Sequence, residues 1–270
     1  MATSSPSPAR RAPAFRSAHV HAVFLRNVEA ARHASHLWVL LSGLFEPVFY
    51  LGSVGFGVGA LVGELTVGGH PVGYTEFVAP AMLTASLMNA AVSESTFTFF
   101  TKFRLMNLHD ATACTPVSSA EIVCGETLWA VARGVVHTVS FLAFLYALGL
   151  LAPTRIPVLL LASLLVSAAF SAMGLALSLF LRGTHDFDRV NLVTFTMFVF
   201  SGTFVPTGDY PGVLAVLARC TPLAQAVDLI RALALGTAGP ATAGHCAYLF
   251  ALTAAGLLVA GRRVERSLHA

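Results

Sequence analysis

Residues 156–181 read IPVLLLASLLVSAAFSAMGLALSLFL, without one charged side chain. At about 1.5 Å of rise per residue, a helix of that length exceeds the roughly 30 Å hydrocarbon core of a bilayer, so the segment reads as a membrane-spanning helix. The whole chain agrees: of 270 residues, 56% are hydrophobic and 11% charged, and the mean hydropathy is +0.76. Soluble domains carry about 25% charged residues, so there is too little charge here to coat a soluble globule. The apolar content excludes a disordered chain, and four cysteines in this length exclude a disulfide scaffold.

Outward from that stretch, six spans are predicted: about 37–63, 77–100, 134–152, 156–181, 190–205 and 245–261. The fifth and sixth are the shortest. The apolar segment from Cys220 to Leu235 contains Asp228 and Arg231 and is cut by Gly236, Gly239 and Pro240. It reads as a short interfacial or re-entrant helix rather than a seventh span. The expected fold is thus an all-α polytopic membrane protein.

Basic residues set the orientation. With both termini cytoplasmic, thirteen fall inside, from Arg10 and Arg11 to Arg262, Arg263 and Arg266; only Arg155, Arg219 and Arg231 fall outside. Residues 1–14, rich in Ser, Pro, Ala and Arg, read as a disordered tail, and 263–270 as a cytoplasmic tail. Arg16, His19, Arg26 and Arg32 interrupt what would be the apolar region of a secretory signal. Within 15–36, Val20, Phe24, Val28 and Ala31 recur at helical spacing opposite Arg16, Arg26, Glu29 and His33, as in an amphipathic helix lying on the membrane surface. An ordinary juxtamembrane helix has the same pattern.

The connection from Thr101 to about Arg133 is the largest cytoplasmic feature. Pro116 followed by Ser118 and Ser119 marks a helix start, and a short helix parallel to the membrane is predicted over 117–127. It reads as a docking surface or as a solvated connector. Two carboxylates, Glu46 and Glu94, fall inside predicted spans, where each costs roughly 2.5–3.5 kcal/mol on insertion scales. Each is a polar point on a translocation path, or it is answered locally, Glu46 by backbone freed at Pro47 and Glu94 by reaching the inner interface. His137 is either functional or a helix-packing residue. Gly55, Gly59 and Gly63 form a small-residue face that permits close helix approach within or between chains.

Enzyme motifs are absent: there is no H-E-x-x-H, no G-x-S-x-G and no His, Cys or carboxylate cluster at metal spacing. The only lysine, Lys102, follows Thr101 rather than a glycine, so the chain has no Walker A loop. Cys114, Cys124, Cys220 and Cys246 form no C-x-x-C and read as unpaired, a Cys220 to Cys246 bridge being the alternative.

Several stretches together resemble ABC-2 type permeases. They are Phe45 to Leu51 running into the glycine face, Tyr74 to Phe103 with Phe77-Val78-Ala79-Pro80, Thr115-Pro116 followed by Gly125-Glu126-Thr127-Leu128-Trp129, Ser201 to Pro206, and Pro222-Leu223 leading to Arg231. The pattern looks most like the nodulation protein J branch of lipo-oligosaccharide export, with daunorubicin-resistance permeases as cousins. The resemblance implies a homodimer of permeases working with two copies of a cytoplasmic ATPase subunit that binds ATP and Mg, with no cofactor in this chain. It also implies that the helix after span two docks the ATPase, which points to Glu121, Gly125 and Glu126, and that the outer helix carries Pro222, Gln225 and Arg231. Where the family has His three residues after the Pro, this chain has Gln225. The function implied is non-catalytic export of an amphipathic substrate, a glycolipid, lipo-oligosaccharide or hydrophobic drug, through the bacterial inner membrane. An intramembrane lipid-modifying enzyme using Glu46, Glu94 or His137, and a gradient-driven carrier, are the alternatives.

Overall fold

The computed structural model describes residues 16–32, 48–49, 51–67, 70–106, 115, 117–206, 208 and 210–268. In chain order these form α1 (Ser17–Arg32), α2 (Leu51–Val62), a hairpin of β1 (Glu64–Val67) and β2 (His70–Gly73), α3 (Tyr74–Ser93), α4 (Ser119–Ala147), α5 (Ile156–Ser178), α6 (Asp186–Phe200), α7 (Gly212–Cys220), α8 (Pro222–Leu235) and α9 (Pro240–Leu268). The hairpin is antiparallel, Glu64 opposite Gly73 and Val67 opposite His70, and is not among the elements expected from the sequence.

Among the described residues, three helices are long and apolar enough to cross a membrane, or up to four if the bent pair α7–α8 is one span. The charge-free stretch 156–181 is the centre of the bundle, because α5 packs on α3, α4, α8 and α9. Val166, Ala169, Phe170 and Ala172 are fully buried, while Leu161 faces outward. A helix that is apolar all round suits both surroundings. The backbones of α5 and α9 come close together: a Cβ on Gly256 would stand 2.7 Å from the Ala172 backbone, so only glycine fits there.

α3 continues beyond Ser93 through π-helical turns at Glu94–Thr98 and Thr101–Leu105. The local cause lies in the side chains: Ser95 and Thr96 hydroxyls donate to the carbonyls of Ala91 and Val92 at 2.6 Å each, competing with the backbone N–H groups for those acceptors. Beyond it, Phe99, Val123, Leu175, Leu179, Ala260 and Val264 form a small core of their own. That cluster puts the end of α3, the start of α4, and the ends of α5 and α9 at one end of the bundle; α1 lies there too, packed on α4.

Three boundaries differ from the sequence reading. The short helix predicted over 117–127 is not separate: α4 runs unbroken from Ser119 to Ala147, since nothing between the Ser118 cap and Ala147 breaks a helix. The fifth predicted span stops at Phe200, where Ser201–Val205 turns through Gly202 at φ +73°. The helix read over Cys220 to Leu235 starts at Pro222 as α8, and Cys220 ends a preceding helix, α7, that meets it at 81° at Thr221-Pro222. Glu46, Pro47 and the rest of 37–47 in the first predicted span lie outside the described residues.

Candidate functional site

At about 1.5 Å per residue, the 29 residues of α4 measure about 44 Å, longer than a bilayer core by roughly nine residues. Its N-terminal part carries Glu121, Gly125 and Glu126 and lies under α1. Ser118 and Glu121 make a reciprocal capping box: the Glu121 N–H donates to the Ser118 hydroxyl at 3.3 Å, and the Ser118 N–H donates to Glu121 Oε2 at 2.7 Å. The same carboxylate meets α1, accepting the Arg16 backbone N–H at 2.5 Å and lying 3.0 Å from His19 Nδ1. Burial pushes the Glu121 carboxyl upward, but the bonds from the Ser118 and Arg16 backbones and from the His19 and Ser118 side chains outweigh it. The acid is held below its ordinary range.

One and a half turns further on, Glu126 joins three helices. It accepts from Arg26 of α1 at 2.8 Å and from Lys102, at the end of α3, at 2.9 Å. Lys102 also donates to Asn27 Oδ1 of α1 at 2.9 Å. Between the two carboxylates, Gly125 is the floor on which α1 rests, since a Cβ there would come within 2.7 Å of the Val23 side chain. All three residues expected on a docking surface are therefore buried against α1.

Glu94 opens the first π-helical turn of α3 and is met by α4: Trp129 Nε1 donates at 2.9 Å, and Arg133 forms a short ion pair with the second oxygen. The Trp129 ring packs edge-on against Phe24 of α1, centroids 6.1 Å apart, so the Glu94 pair adjoins the α1 junction. His137, one turn beyond Arg133, instead bonds Ser86 of α3 at 2.6 Å. Glu94 and His137 thus have separate side-chain hydrogen-bond partners. Among the described residues no group of three or more His, Cys, Asp or Glu could hold a metal.

Sequence reasoning misses Arg16, His19, Arg26, Asn27 and Lys102 as partners, because their contacts to Glu121 and Glu126 span 24 to 105 residues of chain or run through Lys102. The Ser118-x-x-Glu121 spacing carries a local signal of the capping box; Glu126 gives none, because its partners are 100 and 24 residues away.

A family model described as ABC-2 family transporter protein matches residues 64–262. The chain belongs to the ABC-2 transporter family. Among its curated relatives, nodulation protein J of Rhizobium leguminosarum bv. trifolii is 33% identical over 230 residues, 80% of each chain. Nodulation protein J of Rhizobium meliloti (strain 1021) is 30% identical over 229 residues, 80% of this chain and 81% of the relative. That of Bradyrhizobium diazoefficiens is 27% identical over 251 residues, 91% and 94% of the two chains. The chain is thus an ABC transporter permease, a membrane component of an export system, similar to nodulation protein J.

In this ABC-2 permease the glycine face of α2 packs within the chain. Thr75 Oγ1 donates to the Gly55 carbonyl at 2.7 Å, and a Cβ on Gly59 would meet Thr75 and Tyr74. Gly63 serves differently, since at φ +72° it ends α2 and turns the chain into β1. At the far end, Thr221 and Pro222 start α8 as cap and first residue. Gln225 Nε2 donates to the Arg219 carbonyl at 2.6 Å and Gln225 Oε1 lies 2.5 Å from His245 Nδ1, joining α7, α8 and α9. Arg231, 6% exposed, donates to the carbonyls of Phe77 at 3.2 Å and Gly202 at 2.8 Å, lies 3.8 Å from the Phe77 ring centroid, and pairs with Asp228 at 3.6 Å. Cys124, Cys220 and Cys246 are free thiols.

Proposed function

We propose that this permease exports an amphipathic substrate, a glycolipid, lipo-oligosaccharide or hydrophobic drug, outward across the bacterial cytoplasmic membrane, using ATP hydrolysed by a separate cytoplasmic ATPase subunit. Two permease copies work with two ATPase copies, each permease crosses the membrane six times, and the end bearing α1 is cytoplasmic. The observation that carries this reading is the Glu121 and Glu126 junction, which fastens α1 and the end of α3 to the overhanging start of α4.

The junction suits force transmission. A push on α1 reaches α4 through two charge-assisted contacts and reaches α3 through Lys102 and the Glu94–Arg133 pair, so both long helices tilt with α1. In this reading the ATPase grips the exposed side of the α1–α4 pair, where His21, Leu25, Glu29 and Leu128 lie, and Glu121, Gly125 and Glu126 act beneath that surface. Basic residues support the orientation: Arg26, Lys102 and Arg263 lie at the α1 end, and Arg155 and Arg231 at the other.

Co-purification of the full chain with a cytoplasmic P-loop ATPase, followed by reconstitution of the pair, tests this reading. Leu25→Glu is expected to reduce recovery of the ATPase. Glu126→Ala is expected to leave more of it bound but to uncouple hydrolysis from transport. Transport by the permease alone without ATP, or unchanged coupling in Glu126→Ala, overturns the reading.

A further inference from the structure

At the end of the bundle opposite α1, a cavity of about 290 Å³ opens between the start of α3, the end of α4, the start of α5 and the end of α8. Its floor is aliphatic, built from Leu83, Leu142, Leu145, Leu159 and Ile230, and the one ionisable side chain in its wall is Glu76. Glu76 is exposed, and among the described residues its carboxylate has no hydrogen bond and no ion pair. Its place in the first turn of α3 suits the helix dipole, which accounts for the charge but not for the aliphatic well beside it.

Helix ends of both signs meet at the well, the starts of α3 and α5 and the ends of α4 and α8, so the side chains decide its charge. The C-termini of both α4 and α8 reach it, through Leu145 and Gly149 and through Ala234 and Leu235, and helix C-termini carry partial negative charge. Arg155, packed against Gly236, answers the end of α8. The last turn of α4 contains no basic residue. An unpaired carboxylate over an aliphatic floor, with no basic side chain in the wall, attracts a cation that carries an alkyl chain. At about 30 Å³ per water-sized group the volume holds on the order of ten such groups, the low end of ligand pockets and far below a lipo-oligosaccharide.

We propose that this cavity binds an alkylammonium ion, with its tail of about eight to ten carbons on the leucine floor and its cationic head on Glu76. The site does not depend on the ATP-driven cycle proposed above, so it is tested on the permease by itself. Titration calorimetry of the full chain in phosphatidylcholine nanodiscs, with heats from empty nanodiscs subtracted, measures binding of decylammonium and of decyl sulfate. The expected result is one saturable decylammonium site per chain and none for decyl sulfate. In Glu76→Gln the affinity falls about tenfold or more, as loss of a charge-assisted contact implies. Ala152→Trp, at an exposed position of the cavity wall, is expected to abolish binding by filling the mouth while leaving Glu76 in place. Equal decylammonium affinity in Glu76→Gln, equal binding of decyl sulfate, or unchanged binding in Ala152→Trp would each overturn the proposal.

Discussion

The two ends of this helix bundle are held together by different means. At the α1 end, buried carboxylates on α4 meet donors from distant parts of the chain, cations in the case of Glu126, and each carboxylate oxygen of Glu121 and Glu126 has a partner. At the other end, short helices crossing at 81° are tied by side chains bonding to backbone carbonyls, and an open cavity lies beside them. The first arrangement fixes helices to one another; the second fixes turns and leaves space between helices. The difference matches the proposed division of labour, with force entering where helices are locked and small amphipathic molecules entering where packing is open.

The comparison breaks most readily at Arg231, which holds the far end together. Arg231→Ala removes the donor that ties the carbonyls of Phe77 and Gly202 together and the ion pair of Asp228, at an expected cost of about 3–5 kcal/mol, read as a large fall in melting temperature in detergent. Next is Glu126→Ala, which strands Arg26 and Lys102 and is expected to cost about 2–3 kcal/mol. Its distinguishing sign is local: limited proteolysis should cut at α1 before the rest of the bundle, and a uniform loss of protection would contradict the junction. Gly125→Val forces a side chain into Val23 and is expected to release α1 at a cost of about 1–3 kcal/mol with both carboxylates intact. It therefore separates steric fit from charge.

The smallest expected effect is with pH. Glu121 is held below its ordinary range in the folded state, so its contribution is present above the unfolded carboxylate pKa and is lost as pH falls through the folded value. Protection of the α1 amides against hydrogen exchange, taken relative to the intrinsic rate at each pH, should therefore fall under acid conditions, and Glu121→Gln should remove most of that pH dependence. An identical acid response in Glu121→Gln would place the titration elsewhere.

Much of the membrane-spanning pattern is legible in the sequence because burial in lipid and burial in protein demand the same thing of a chain. Residues 156–181 announce α5 by lacking charge, and the break at Thr221-Pro222 is visible as a cap followed by proline. Boundaries governed by long-range contact are not legible. The start of α4 resembles a separate surface helix because its polar residues, Glu121 and Glu126, look solvated until α1 is laid over them. Glu94 gives no sign of Arg133, because a partner 39 residues away leaves no local periodicity. The β hairpin has no strong alternation to reveal it, and Gly63 blends with Gly55 and Gly59 although only Gly63 adopts a positive φ among the three.

The central claim is that α1 and the start of α4 move as one body. Spin labels at the exposed positions Ala30 and Ala120, in the complex with its ATPase, report their separation, and a second pair at Ala120 and Val213 reports across the bundle. Between the nucleotide-free and ATP-bound states, the Ala30–Ala120 distance should stay constant while the Ala120–Val213 distance changes. An Ala30–Ala120 distance that shifts with nucleotide would contradict the account.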